Sequence, residues 1–352
     1  MAAMVFAAFE LLFAAMGNRR HFLTRRRLSL VACASVFVVL AVSPIVSPWL
    51  SNFNVVDAVL AQYLKGNIGL INASEMQAMV NMPRTLVDEI ARGTSWMSLV
   101  VLSVFGLAAL LRLAYLGVNV VRIHRSMASG CIVRDTSKLR IVASPTAKVP
   151  FSTRSLRRYI IVLPANVCQD PGAMRMYLGH EAQHIRQGDV DAELILSLLS
   201  PLFVLNPGYW FIAGRVRNLA ELACDRAFLA KDRMTPREYS LRLLSIARTY
   251  RTSQVPYPQA FGVSLMGRTL PWISRKSMLK TRIEEIAADI DAPLRERRLV
   301  AAGASLCLAL FILMAAMSVT SSGDWSHERI MLSTVVNLER INELNTLAQR
   351  SW

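Results

Sequence analysis

Acidic residues are scarce in this chain: 24 Asp and Glu face 40 Lys and Arg, a formal net charge of +16 over 352 residues. Such an excess invites a nucleic-acid reading. Much of it, however, sits beside long apolar runs, where membrane topology and anionic lipid account for it, so direct nucleic-acid binding is not expected. Cysteine is also sparse. None of Cys33, Cys131, Cys168, Cys224 and Cys307 forms a CxxC pair, and two lie inside apolar runs; this argues against a disulfide framework and against a cysteine zinc site. Repeats and low-complexity segments are lacking too. Apolar residues are not: 53% of the chain is hydrophobic and the mean hydropathy is +0.36, values that fit a membrane protein better than a soluble enzyme.

Residues 28–49 are apolar apart from four serines and follow Arg25-Arg26-Arg27. As a helix they reach about 33 Å, enough for a bilayer core. Residues 97–121 read the same way except for Arg112, whose guanidinium is expected to extend toward the interface. Residues 299–319 carry no charge. Residues 1–16 include Glu10 and reach only about 24 Å, so they form a short or tilted span or an interfacial helix. Their positive charges follow the apolar stretch, unlike those of a secretory signal. The chain is thus expected to have three or four transmembrane helices.

Orientation follows the basic residues. Residues 17–27 hold five arginines and no acid, and residues 122–158 hold nine basic residues against Asp135; residues 50–96 and 320–352 each hold three basic and four acidic residues. The positive-inside rule places the first two segments in the cytoplasm and the last two outside it. The expected organisation is therefore an N-terminal transmembrane region, 1–121, with an outer loop at 50–96; a cytoplasmic domain, 122–298; a last span, 299–319; and a short extracytoplasmic helical tail, 320–352.

The cytoplasmic domain opens with short runs, "CIVRD", "LRIVASP", "KVPFS" and "YIIVLP", that predict a small antiparallel sheet. A helix over 171–187 follows, with Asp170 as N-cap and Pro171 as its first residue. Residues 194–214 are uncharged and long enough to cross a membrane, but Pro201, Asn206, Pro207 and Gly208 break them. A broken hairpin is expected there, buried in the domain or dipping into the interface. Amphipathic helices over 215–232, 236–250 and 276–290 come next, and the tail carries Ile330, Val335, Leu338, Ile341, Leu344 and Leu347 at helical spacing.

The helix at 171–187 carries "LGHEAQHIRQGD", residues 178–189. His180 and His184 are four apart and share a helix face, so both imidazoles can reach one metal ion. Glu181 lies about 100° around the axis, placed to act as a base on water instead of as a ligand. This is the mechanical content of the HExxH pattern of zinc peptidases. A catalytic zinc needs a third protein ligand. "AELACD" offers Glu221, and Asp225, four residues on, can orient a ligating histidine through its free ring N–H. Spacing alone leaves a solvated helix face open for the histidines and a surface salt bridge open for Glu221.

Four stretches in this order, "VPFSTRSLRRYIIVLPANV", "LGHEAQHIRQGD", "NPGYW" and "ELACD", resemble the BlaR/MecR-type integral membrane metallopeptidases that signal β-lactam stress. The likeness covers roughly residues 100–320. It implies a mainly α, multi-pass protein of the bacterial cytoplasmic membrane, with a gluzincin-like α+β domain in the cytoplasm. It further implies one zinc ion held by His180, His184 and Glu221, with Glu181 activating water for peptide hydrolysis. Asp189 and Asp225 match acidic positions of the pattern and are expected to support the ligands. Cys224 matches its Cys-Asp pair and is read as a packing residue.

One departure matters. Relatives that detect β-lactams carry a penicillin-binding domain with an SxxK serine after the last span, whereas the 33 residues after Val319 contain no lysine. Direct acylation by a β-lactam is not expected. The input would be the outer loop, the tail helix or a separate extracytoplasmic sensor. The expected function is a membrane zinc endopeptidase that transduces such a signal by cleaving a cytoplasmic protein, a transcriptional repressor being the kind the resemblance suggests, or by cleaving itself. A homodimer is among the expected assemblies. A quality-control peptidase of the HtpX/Ste24 type is the runner-up in the same chemistry. A non-catalytic receptor with a structural zinc is the reading from another class.

Overall fold

Val, Ile and Leu fill the strand "YIIVLP", and a strand that is apolar at successive positions belongs in the middle of a sheet with both faces covered. The computed structural model places it there. It describes the chain apart from residues 1–5, 9, 12–20, 47–54, 68–71, 94, 232–233, 253–261, 265–274, 289–297, 318–326 and 351–352. Most of the expected span at 1–16, the far ends of those at 28–49 and 299–319, and parts of the outer loop and tail lie outside the described residues.

The sheet has five strands, β1 (Cys131–Asp135), β2 (Leu139–Ser144), β3 (Phe151–Arg154), β4 (Tyr159–Pro164) and β5 (Gly262–Ser264), in the order β1-β2-β4-β3-β5. It is mixed, not antiparallel as expected. β2 and β4 run parallel, from Leu139 opposite Tyr159 to Ser144 opposite Pro164. The physical reason is the connection between them. Residues 145–158 are long enough for a crossover, and within them β3 lies antiparallel on the far side of β4. Alternation of side chains has the same period in either pairing, so the sequence pattern is blind to the difference.

The helices in chain order are α1 (Phe22–Val46), α2 (Val55–Leu64), α3 (Ala73–Arg92), α4 (Trp96–Ala128), α5 (Pro171–Gln187), α6 (Asp189–Leu199), α7 (Pro207–Leu229), α8 (Pro236–Thr252), α9 (Arg275–Ala288), α10 (Arg298–Met317) and α11 (His327–Arg350). Among the described residues one helix, α4, is long and apolar enough to cross a membrane; α10 adds a shorter apolar stretch, Gly303–Ile312. Arg112 of α4 does not reach outward as expected. Its Nε donates to Ser200 Oγ at 2.8 Å, and the guanidinium lies 5.0 Å from the ring centres of both Tyr115 and Trp210. Those partners, supplied by the α6–α7 hairpin and by α4 itself, hold the guanidinium within the protein by one hydrogen bond and two ring faces.

The chain divides into two compact units. The larger, residues 3–33 and 107–308, contains the sheet and α5 to α9. Its core joins Val142, Phe151, Ile161, Val162 and Leu163 of the sheet to Met176 and Tyr177 of α5, Phe228 of α7 and Tyr239 of α8. α5 starts where Asp170 Oδ1 accepts from the backbone N–H groups of Gly172 and Ala173, at 2.9 and 3.2 Å, with Pro171 as first residue. It ends at Gly188, whose φ of 73° no β-branched or bulky residue adopts without strain. That turn starts α6 at once and brings Asp189 back over the last turn of α5.

α6 ends at Leu199, and Asn206 caps α7 by accepting from Tyr209 N at 3.2 Å. The "NPGYW" residues stitch this hairpin. The Tyr209 hydroxyl donates to the Leu196 carbonyl, and Trp210 Nε1 donates to the Val204 carbonyl at 2.8 Å. Ile195, Leu198, Leu202, Leu205 and Phe211 remain exposed.

Close approach of α5 and α7 depends on Gly179, where an added Cβ would lie 2.5 Å from the Phe228 ring. Gly179→Ala is expected to lower unfolding stability by about 1–3 kcal/mol, the usual cost of overpacking, as read by denaturant or thermal unfolding of the detergent-solubilised protein.

The smaller unit, residues 1–2, 34–106 and 309–352, joins segments far apart in sequence. α2, α3 and α11 pack around Leu60, Ala73, Met76 and Leu332, and Arg329 pairs with Asp57 at 3.1 Å. The expected apolar face of the tail is corrected here. Val335 of the expected stripe packs against this cluster beside the buried Leu332, whereas Ile330, Leu338 and Ile341 are exposed and the side chains of Leu344 and Leu347 lie outside the described ones, because the contact with α2 and α3 selects a stripe rotated from the expected one.

Candidate metal centre

Glycine-permitted contact between α5 and α7 brings the three sequence-predicted ligands together. His180 Nε2 and His184 Nε2 are 3.1 Å apart, and Glu221 places Oε2 3.8 Å from the first and Oε1 3.8 Å from the second. All three side chains are buried. Donors that share one zinc ion at about 2.0–2.2 Å stand roughly 3–4 Å from one another, so the spacing fits.

The protonation pattern points the same way. Asp189 Oδ2 is 2.7 Å from His184 Nδ1. Tyr239 Oη, 2.9 Å from His180 Nδ1, donates its own proton to Asp225 Oδ1 at 2.6 Å and so accepts from the histidine. Both Nδ1 atoms therefore carry hydrogen, as assigned from the network, and both Nε2 atoms present lone pairs. Two lone pairs facing each other beside a carboxylate oxygen are mutually repulsive unless a cation, a metal ion or a proton, lies between them; despite burial, the Cys224 sulfur and the Asp189 and Glu221 carboxylates push the His184 imidazolium well up. Asp189 thus sits where the sequence expectation puts a supporting carboxylate. Asp225 reaches His180 chiefly through Tyr239, its own Oδ1 standing 3.6 Å away.

Charge gives an independent check. Glu181, Glu221, Asp189 and Asp225 are all buried, and the guanidiniums buried against them belong to Arg282 and Arg26. Three of the carboxylates less two guanidiniums leave one negative charge, and Glu181 adds a second once it ionises, together the complement of one divalent cation; buried charge left unbalanced is costly.

Arg282 and Tyr239 were not singled out by sequence reasoning. Arg282 Nε and Nη2 donate to the two oxygens of Asp225, each at 2.6 Å, and Nη1 lies 2.9 Å from Glu221 Oε2. A signal existed: Arg282 interrupts an apolar stripe, between Met278 and Ile286 at four-residue spacing, all three buried. Tyr239 similarly heads a stripe with Leu243. For Arg26 there was none. Its Nη2 is 2.6 Å from Asp189 Oδ1 and its Nη1 donates to the Gln187 carbonyl at 3.0 Å. Its neighbour Arg25 pairs with Glu10 at 2.6 Å, whereas Arg27 is exposed. Two of the five arginines at 17–27 read as a topology signal are therefore buried ion-pair partners.

Burial pushes the Glu181 carboxyl up to about 7, the neighbouring Ser152 hydroxyl of β3 offsetting part of this. Neither of its oxygens has a hydrogen bond of ordinary geometry. An acid poised near neutrality, with no hydrogen bond of ordinary geometry to hold it, suits general-base work. Burial likewise drives the Glu221 carboxyl up, with Arg282 opposing, and drives the His180 imidazolium well down. Cys224 also lies near both histidines, within 4.8 Å. Its thiol is committed to the His180 carbonyl at 3.3 Å, it stands 3.6 Å from His180 Nδ1, and burial holds it up at about 12.

Convergent acceptor atoms beside an unpartnered buried acid are what peptide hydrolysis at a metal requires, and comparison with known proteins gives the same class, a membrane metallopeptidase. The chain belongs to the BlaR1 peptidase M56 family, whose sequence profile matches residues 16–279. The regulatory protein BlaR1 of Bacillus licheniformis is 30% identical over 98 residues, which are 28% of this chain and 16% of that protein. The chain thus matches a minor part of that relative's length.

Proposed function

We propose that the protein is a zinc endopeptidase that cuts a cytoplasmic or membrane-proximal protein in response to a signal received outside the membrane. The observation that carries this reading is the meeting of His180, His184 and Glu221 around one point beside Glu181. Zinc, when bound, supplies Lewis-acid activation of water near neutral pH. His180 and His184 hold it through Nε2 and Glu221 through its carboxylate, an open three-ligand set that favours a catalytic over a structural site. Glu181 accepts the proton of the attacking water and delivers it to the leaving amine. Cys224 is the weaker third ligand, since its high thiol pKa and its bond to the His180 carbonyl oppose thiolate formation.

Substrate capture by strand addition is supported by β5. This segment of the same chain lies antiparallel on β3, with Ser152 opposite Val263. An extended piece of the chain thus already occupies the edge beside Glu181, as self-cleavage would require. A transcriptional repressor as the second substrate rests on the family likeness.

Zinc content separates the ligand assignments. Purified wild type is expected to hold one zinc per chain, Glu221→Ala to lose it, and Cys224→Ala to keep it. Loss in Cys224→Ala with retention in Glu221→Ala would exchange their roles.

A further inference from the structure

Arg26 belongs to α1, a helix remote in sequence from the metal centre, yet its buried guanidinium closes a chain of contacts that ends on a ligand. It contacts Asp189 at 2.6 Å, and Asp189 contacts His184 Nδ1 at 2.7 Å. The same guanidinium ties the end of α5 through the Gln187 carbonyl at 3.0 Å. Arg26 therefore grips the turn from α5 to α6 on both sides of Gly188. We infer that Arg26 is a positioning residue for His184, and that the placement of α1 thereby sets how tightly the site holds its metal. This rests on the zinc reading given above.

The physical basis is the carboxylate that Arg26 holds. A carboxylate bonded to the outer nitrogen of a ligating histidine fixes the tautomer and orientation of the ring, and its loss lowers metal affinity by about 10- to 100-fold. Asp189 can do this only while its other oxygen is neutralised in place, because an unpaired buried carboxylate would turn toward water or take up a proton. A helix moves as a rod. Rotation of α1 by one residue position, about 100°, would carry Arg26 off Asp189 altogether. The exposed Arg27 cannot replace it at its present register, so the contact is specific to one setting of the helix.

The test is zinc affinity of the full-length protein in nanodiscs, measured by competition with a chromophoric chelator for wild type, R26Q, R26K, D189N and R26Q/D189N, with R27Q as control. R26Q is expected to weaken zinc binding about 10- to 100-fold and R26K less, while R27Q matches wild type. Because Arg26 acts through Asp189, R26Q should add little once D189N is present. Unchanged affinity in R26Q, or full additivity in the double variant, overturns the inference. Should R26Q fail to fold, R26K and R26K/D189N give the same cycle. A wild type that takes up no zinc would instead refute the zinc reading on which the inference stands, an outcome distinct from a zinc-binding wild type whose affinity is insensitive to Arg26.

Discussion

Glu181→Gln is expected to lower peptide cleavage about 10²- to 10⁴-fold while the protein keeps one zinc per chain and unfolds at no lower temperature. The size is that of losing a general base. Glutamine has the shape of the glutamate and cannot take the proton, and neither glutamate oxygen has a hydrogen bond to lose. Removing a buried, partnerless acid relieves a desolvation cost, so stability should hold or rise. The measurement is cleavage of co-expressed candidates, read by proteomics as fragments present with wild type and absent with the variant. Equal fragments from both would end the peptidase reading, leaving a receptor with a structural metal. The same fragments separate one defined target from the broad debris of a quality-control protease.

Arg282→Met should have the largest effect on folding, lowering unfolding free energy by about 3–5 kcal/mol, the cost of breaking a buried ion pair by removing one partner. Arg282 neutralises Asp225 with two bonds and Glu221 with a third contact, all out of water. Methionine fills similar space without charge. Denaturant unfolding in detergent would show the loss, and adding Asp225→Asn to the variant should recover part of it, since one of the two stranded charges is then gone. A shift below 1 kcal/mol would mean that water reaches these groups.

What could be read from the sequence was whatever local chemistry announces. Asp170-Pro171 and Gly188 mark the ends of α5, and four-residue spacing puts His180 and His184 on one face before any fold is known. Glu221 was found through its pattern and its spacing from Asp225. The remainder needed partners that only the folded chain brings together. Nothing in Arg25-Arg26-Arg27 distinguishes the middle arginine, because its role is decided by Asp189, far along the chain. Tyr239 intervenes between Asp225 and His180 from a helix that reads as merely amphipathic. The parallel pairing of β2 with β4 is set by a crossover, not by either strand. The packing of α11 on α2 and α3 likewise joins residues 50–96 to the tail, segments that look independent when read in order.

The bond from Arg112 to Ser200 also fixes a depth. Arg112 is midway along α4, sixteen residues from each of Trp96 and Ala128, or about 24 Å from either end at 1.5 Å per residue. Wherever α4 crosses a bilayer, the tip of the α6–α7 hairpin is pinned at the level of its midpoint. The tip is furnished for a waterless layer: Leu202 N, Asn206 N and Trp210 Nε1 all donate within the hairpin, and its outward side chains are Leu198, Leu202, Leu205 and Phe211. α7 runs from that tip to Glu221. Glu221, the third ligand of the proposed centre, is thus hung from a fixed level of α4, and a peptide cut there would have to come within a helix length of that level.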